Sequence, residues 1–348
     1  MSQQIQQTLS SKASQEQSQA DKEESKQTQV ENQQKKTSTQ EQNYDQIFCP
    51  KLDVREPTYQ GLWYSSQDYE LNIQLNVWLD MAKCDITSIK SIKAIIAPHA
   101  GFSFSGPTAA WAYRYLKQNP PTQKLRVFVL GPFHYIFIRS CALSGMKTYE
   151  TPLGNIEIDQ ETIQQLLKEG SFEVSDKDAE EEEHSIEMQL CFLIKTLGLE
   201  NIKLIPVMVG SIDSTQEEKY GKLFSKYINQ EDTLFVISTD FCHWGQKFKY
   251  TYSTKEDCEI YEQIEKLDQK GMEHIEMNDI DAFQQYIRET ENNICGRHAI
   301  SILMNAIAKS KISNQIDTKF IRYSQSSLVR DKNDSSVSYA AAVSIITE

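Results

Sequence analysis

Histidine is scarce in this chain: there are only six in 348 residues. Three of them follow short apolar runs at matching places. Ile95-Ile96-Ala97-Pro98-His99-Ala100-Gly101 is the first such stretch, Val129-Leu130-Gly131-Pro132-Phe133-His134 the second, and Ser238-Thr239-Asp240-Phe241-Cys242-His243-Trp244-Gly245 the third. Taken singly, a histidine beside a proline turn is more often a hydrogen-bonded loop residue than a ligand. Taken together, three at the ends of strand-like runs point to one shared pocket. Neutral imidazole is the commonest transition-metal ligand, and two rigid strand ends hold two imidazoles in a fixed geometry. Local zinc signatures such as HExxH or CxxC are absent, so spacing alone does not choose a third ligand.

Asn293-Ile294-Cys295-Gly296-Arg297-His298 offers one candidate. Cys295 falls at the predicted N-terminus of a helix continuing through Ile300, Leu303 and Ile307, where the helix dipole and Arg297 favour thiolate over thiol. A small buried hydrophobe fits the position as well, and local sequence does not decide between the two. Asp240 and His243 form an Asp-x-x-His unit suited to a carboxylate–imidazole pair, the carboxylate orienting the ring or raising its basicity. The alternative is that Asp240 caps the turn after its strand. The acidic run Glu180 to Glu183 is ascribed mostly to the positive end of the helix that follows. His184 and Glu187, three apart on one face of that helix, remain pocket candidates.

Positioning these residues requires a frame. From Ile92 onward, β-branched apolar runs alternate with amphipathic helical patterns, the signature of a mostly parallel sheet covered by helices. Strands are predicted over residues 92–97, 125–130, 202–209, 234–238, 320–324 and 337–346. Helices are predicted over 106–117, 160–168, 185–197, 216–228, 255–270, 280–289 and 296–308. The last two strands have one short connection and are expected to form a hairpin, which makes the sheet mixed. Residues 125–130 and 202–209 read as strands buried on both faces, and in such sheets ligands collect where strands end and loops begin. The expected fold class is therefore α/β, a single domain with a mixed, mostly parallel central sheet covered by helices.

Residues 1–47 are dominated by Gln, Ser, Glu, Lys and Thr, with no aromatic before Tyr44. Such a segment buries too little apolar surface to offset its ordering entropy, and it reads as a disordered polar tail ahead of a domain over 48–348. It lacks the apolar stretch of a signal peptide, and its Glu and Asp with no Arg make it a poor transit peptide. No apolar run approaches the roughly 20 residues that span a bilayer. Seven scattered cysteines argue for free thiols in a reducing compartment, and the expected location is cytoplasmic. A net charge of −13 argues against a duplex nucleic-acid binder, which needs clustered Lys and Arg.

From about Pro57 to its end, the chain resembles the Memo family (mediator of ErbB-driven cell motility). The resemblance rests on Gly61-Leu62-Trp63-Tyr64 and on residues 95–101, 130–134, 149–153, 183–188, 205–210, 221–227, 240–246, 294–298, 324–327 and 334–341, in the same order. It implies a fold similar to the LigB-type extradiol dioxygenases, which hold Fe(II) with two histidines and a glutamate. By that resemblance His99 and His134 match the two histidines, Cys295 replaces the carboxylate, and His243, with Asp240 nearby, matches the acid/base position. A face of two histidines and one carboxylate leaves open positions on Fe(II) for catechol and oxygen together. A thiolate changes the electron density of the iron and softens the site toward copper(I), which argues against ordinary catechol cleavage.

The resemblance implies instead copper or iron binding, metal-dependent redox effects, and a role in cell migration through receptor tyrosine kinases and the cytoskeleton. It also implies a partner, a phosphotyrosine-containing receptor tail or a signalling adaptor, met through the Trp63 loop and residues 247–249; Trp63, Tyr64, His184, Glu187, Lys249 and Arg297 are the candidate peptide or pocket residues. Alternatives are a phosphotyrosine-peptide scaffold without catalysis, or a surviving nonhaem iron dioxygenase. The chain also departs from the family pattern. Phe133 and Tyr135 flank His134 where Ser and a second His are common, and Lys247 and Lys249 stand where arginine, with its two-donor fork for phosphate, is usual.

Overall fold

The structure is a computed structural model that describes residues 54–254 and 257–348. The tail expected over 1–47, and Lys255 at the start of one predicted helix, lie outside the described residues. In chain order the first elements are β1 (Val54–Arg55), α1 (Asp68–Met81), β2 (Ile89–Ala97), α2 (Phe102–Gln118), β3 (Leu125–Pro132), β4 (Cys141–Ser144), β5 (Thr148–Tyr149) and β6 (Ile156–Glu157). There follow α3 (Gln160–Glu169), β7 (Phe172–Ser175), α4 (Lys177–Glu182), α5 (His184–Leu197), β8 (Ile202–Val209), α6 (Ser214–Ile228) and β9 (Thr233–Ser238). The chain closes with β10 (His243–Trp244), α7 (Ile260–Glu276), α8 (Ile280–Thr290), α9 (Arg297–Ala308), β11 (Asp317–Gln325) and β12 (Ser336–Thr347).

The Val-, Ile-, Leu- and Phe-rich runs take the middle of the main sheet, whose order is β10-β12-β2-β9-β3-β8-β4-β7, with β11 on β12. Strands β2, β9, β3 and β8 are parallel neighbours, and β9 is buried along its whole length. This is why these strands show no polar alternation: helices cover both faces. At its flanks the sheet turns antiparallel, where β12 meets β2 and β4 meets β8. The expected hairpin is present as β11 and β12, with Phe320 opposite Ala342. A separate sheet, β1-β5-β6, joins segments of two residues each, too short to leave a periodic trace in sequence.

Because β2, β9 and β3 are adjacent and parallel, with Ala97 opposite Ser238 and Leu130 opposite Ile237, they end at one edge of the sheet. The three histidine-bearing loops therefore emerge side by side. Helix α5 is buried from His184 to Leu193, and polar stitches fix its first turns to that edge. Ser185 Oγ donates to the Pro132 carbonyl at 2.9 Å. Gln189 Nε2 donates to the Pro98 carbonyl at 3.0 Å and to Ser238 Oγ at 2.8 Å.

Several helices differ from expectation: α4 has no counterpart among the predicted helices, and α7 runs on to Glu276. Helix α2 starts a turn earlier than predicted: Phe102 is buried, and Ser105 Oγ donates to the Ala100 carbonyl at 2.6 Å, securing the turn ahead of Pro107. Helix α1 was not expected at all. Its inner face is Leu71, Leu75 and Leu79, but Tyr69, Ile73, Val77 and Met81 stand outside, so the polar–apolar contrast that marks an amphipathic helix is missing. No helix among the described residues is long and apolar enough to cross a membrane.

Candidate metal centre

His99 enters the site from the loop after β2 and is almost wholly buried. Its Nδ1 lies 2.8 Å from Ser238 Oγ. That hydroxyl has a single proton, and it also lies 2.6 Å from the Ser185 carbonyl, which can only accept. Ser238 therefore accepts from His99, so Nδ1 carries the ring proton and Nε2 is left with its lone pair. Nε2 faces Cys295 Sγ at 3.2 Å. Two lone-pair donors this close repel unless a proton or a cation lies between them.

His134 follows β3 and meets Glu183, the residue that caps α5. Its Nδ1 lies 3.0 Å from Glu183 Oε1, its backbone N–H donates to Oε2 at 2.6 Å, and Ser185 N–H donates to Oε1 at 2.7 Å. Glu183 thus serves the helix end, as the dipole argument expects, and also orients an imidazole from the outside. This is the pattern that fixes metal-ligating histidines. Burial works against the charged form of His134, but hydrogen bonds to Cys295 and Glu183 outweigh it and raise its pKa to about 10.

His184, at the first position of α5, completes a triad. One ligand atom from each of His99, His134 and His184 lies within 4.8 Å of the others. The His184 ring stacks on His134 at 4.5 Å and meets His99 edge-on at 5.3 Å. Its Nδ1 is buried without a hydrogen-bond partner, 3.7 Å from Glu183 Oε1. Burial pushes His184 and His243 down to about 4, and burial together with the neighbouring histidines holds His99 well below the ordinary imidazole value. His99, His184 and His243 are thereby held toward the neutral form that binds metal, whereas His134 has to give up a proton to do so.

Cys295 comes in from the turn before α9. Gly296 makes this approach feasible: a Cβ there would sit 2.4 Å from the Thr239 Cβ and 2.8 Å from the Ser238 carbonyl oxygen. Asp240 N–H donates to the sulfur at 3.2 Å. The Asp240 carboxylate turns the other way and accepts the His99 backbone N–H at 2.9 Å, fixing the His99 loop. Burial raises its pKa to about 7. His243 is held through its backbone, donating to Asn293 Oδ1 at 2.8 Å, and its buried Nδ1 has no partner. Asp240 and His243 thus serve the site by separate routes.

The other candidates divide. The Trp63 ring lies 4.6 Å from His184, against the histidine cluster. Tyr64 and Glu187 turn inward, the Tyr64 hydroxyl donating to Glu187 Oε1 at 2.6 Å, and they brace the Trp63 loop. Lys249 is exposed and takes the left-handed conformation after the turn that follows β10, and Arg297 is half-buried at the start of α9. Sequence reasoning passed over Ser238, Gln189 and Arg55, whose roles depend on partners distant in the chain.

The family described as Memo-like protein matches residues 55–343. This chain belongs to the Memo family. Curated relatives named Protein MEMO1 are 44% identical over 295 residues in Xenopus tropicalis, covering 84% of this chain and 97% of that one. The Danio rerio protein of that name is 45% identical over 302 residues, covering 85% and 99%. The Homo sapiens protein is 43% identical over 294 residues, covering 84% and 97%. Among solved structures, the uncharacterized protein JW3007 of Escherichia coli K12 is similar with a TM-score of 0.47 and 12% identity, over 72% of this chain and 99% of that one.

In this Memo-family chain, two imidazoles with their Nδ1 atoms already engaged and a thiol beside them make a donor set that fits a soft or borderline transition-metal ion. His184 belongs to the same cluster, with one ligand atom within 4.8 Å of those of His99 and His134.

Proposed function

We propose that this chain binds copper or iron through His99, His134 and Cys295, and that it serves metal- and redox-linked signalling in cell motility. The observation that carries the reading is the hydroxyl of Ser238, which commits His99 Nδ1 as a donor and leaves Nε2 facing the Cys295 sulfur at 3.2 Å. A bound ion of this kind supplies one-electron chemistry. The residues around it do the rest: Ser238 and Glu183 orient the imidazoles, Asp240 fixes the His99 loop, and His243 stays neutral beside the cluster. Cys84, Cys141, Cys191, Cys242 and Cys295 are free thiols, which suits the reducing, cytoplasmic setting included in this reading.

Metal analysis of full-length protein loaded with copper(I) or Fe(II) tests it. Wild type is expected to retain one ion per chain, Cys295→Ser and His99→Ala to lose it, and His184→Ala to weaken it less. Unchanged stoichiometry in the first two variants overturns the site.

A second reading is a scaffold for a phosphotyrosine-containing receptor tail or signalling adaptor. It is supported by a cation beside the pocket: Lys247 Nζ stands 4.6 Å over the Phe248 ring, which lies 5.3 Å from His243. Phosphotyrosine peptides that bind no better than unphosphorylated ones, together with a silent Trp63→Ala, remove it.

A further inference from the structure

The outward face of α1 carries an apolar stripe that no described residue covers. Tyr69, Ile73, Val77 and Met81 lie one turn apart and are 73, 46, 49 and 71% exposed. A helix apolar on both faces is normally covered on both. Rows spaced by four residues are also the ridges that interdigitate in the commonest class of helix–helix packing.

We propose that α1 is the contact surface of a homodimer, two copies of the helix packing antiparallel about a two-fold axis at the level of Leu75. A two-fold contact requires a patch complementary to itself, and the stripe is one. The axis sets Ile73 against Val77, two β-branched side chains at the centre. It sets Tyr69 against Met81 at the ends, where thioether and aromatic ring attract.

The charges agree with the same direction of pairing. Asp68 and Glu70 stand at the N-terminal end of α1, and Glu70 is held by Ser65 Oγ at 2.8 Å. At the C-terminal end Asp80 is bound by Arg114 at 3.3 Å and by Lys117 at 3.2 Å, and Lys83 follows, so that end is net cationic. Antiparallel pairing sets the acidic end of one copy on the basic end of the other, whereas parallel pairing sets acid on acid. A net charge of −13 opposes self-association. A helix of 14 residues is only about 21 Å long, so the contact falls at the small end of specific interfaces. The dimer is therefore weak, forming in the micromolar range.

Sedimentation equilibrium of the full-length protein across that range is expected to show monomer and dimer in exchange. Ile73→Glu, at an exposed site that tolerates charge, should weaken the dimer by about tenfold or more, with circular dichroism unchanged. Glu70→Lys and Lys117→Glu should each weaken it, and the double variant should restore it, an outcome specific to the antiparallel register. A protein monomeric at every concentration, a dimer indifferent to Ile73→Glu, or charge reversals that add rather than compensate would overturn the proposal.

Discussion

Arg55 and Glu187 form an ion pair at 2.6 Å in which both side chains are fully buried. The guanidinium also donates to the carbonyl oxygens of Glu180 and Glu183, each at 3.0 Å. Glu187 in turn accepts from the Tyr64 hydroxyl at 2.6 Å and from the Tyr59 N–H at 2.9 Å. One pair thus ties β1, the loop bearing Trp63 and the turn bearing His184 into a single unit. Removing one partner strands a buried charge, at a cost of about 3–5 kcal/mol. Arg55→Met is expected to lower the unfolding free energy by that amount in urea titrations. Pairing it with Glu187→Leu should recover part of the loss, because the stranded charge goes with it.

Metal affinity depends on residues that touch no metal. Glu183→Ala frees the His134 ring to rotate and to change tautomer, and an affinity loss of about 10- to 100-fold is expected. Ser238→Ala removes the acceptor that keeps the His99 proton on Nδ1, with a loss of similar size. Competition against a copper(I) chelator measures both. Wild-type affinity in Ser238→Ala would show that the hydroxyl does not set the tautomer.

Much of this was legible in the sequence, for a physical reason. Buried parallel strands write themselves as β-branched runs, so the strands before His99, His134 and His243 were visible, and the shared edge of β2, β9 and β3 brings those loops together. What stayed hidden is what depends on distant partners or on lost contrast. Asp240 sits three residues from His243, yet its carboxylate serves the His99 loop. Glu183 looked like one member of an acidic run, and its second task appears only once His134 is brought beside it. Helix α1 left no amphipathic signal because both of its faces are apolar.

The approach of α6 to α9, the helix that begins just after Cys295, relies on Gly221. A Cβ at that position would sit 2.2 Å from the Asn305 Cβ and 3.0 Å from the Ile302 carbonyl oxygen. Backbone lies on the far side, so the clash is not relieved by a rotamer change. Gly221→Ala is expected to cost about 1–3 kcal/mol and to lower the thermal midpoint. Shifting α9 should also displace Cys295, so metal affinity should fall alongside stability. Gly221→Ala that lowers stability but leaves metal affinity intact would show that the Cys295 turn is held independently, by Thr239 and Asp240.

Glu180 gives the fold a pH dependence of its own. Its carboxyl is buried, accepting from Ser144 Oγ at 2.7 Å, Gly145 N–H at 2.9 Å and the Tyr149 hydroxyl at 2.5 Å. Burial raises its pKa from 4.5 to about 7, more than these donors and Arg55 lower it. A carboxyl with a raised pKa binds its proton more tightly in the folded than in the unfolded chain. Its stabilising contribution is therefore complete below about pH 4.5 and is lost as pH rises through about 7, a change on the order of 3 kcal/mol. Glu180→Gln cannot ionise, although its amide breaks part of the hydrogen bonding and lowers stability at every pH. The stability gap between wild type and variant should therefore be widest near about pH 4 and should narrow by about that amount toward about pH 8. Urea denaturation at both ends measures it, and subtracting the two proteins cancels the titration of His184 and the other shared groups. A gap of constant width would mean that Glu180 keeps the same protonation state across the range.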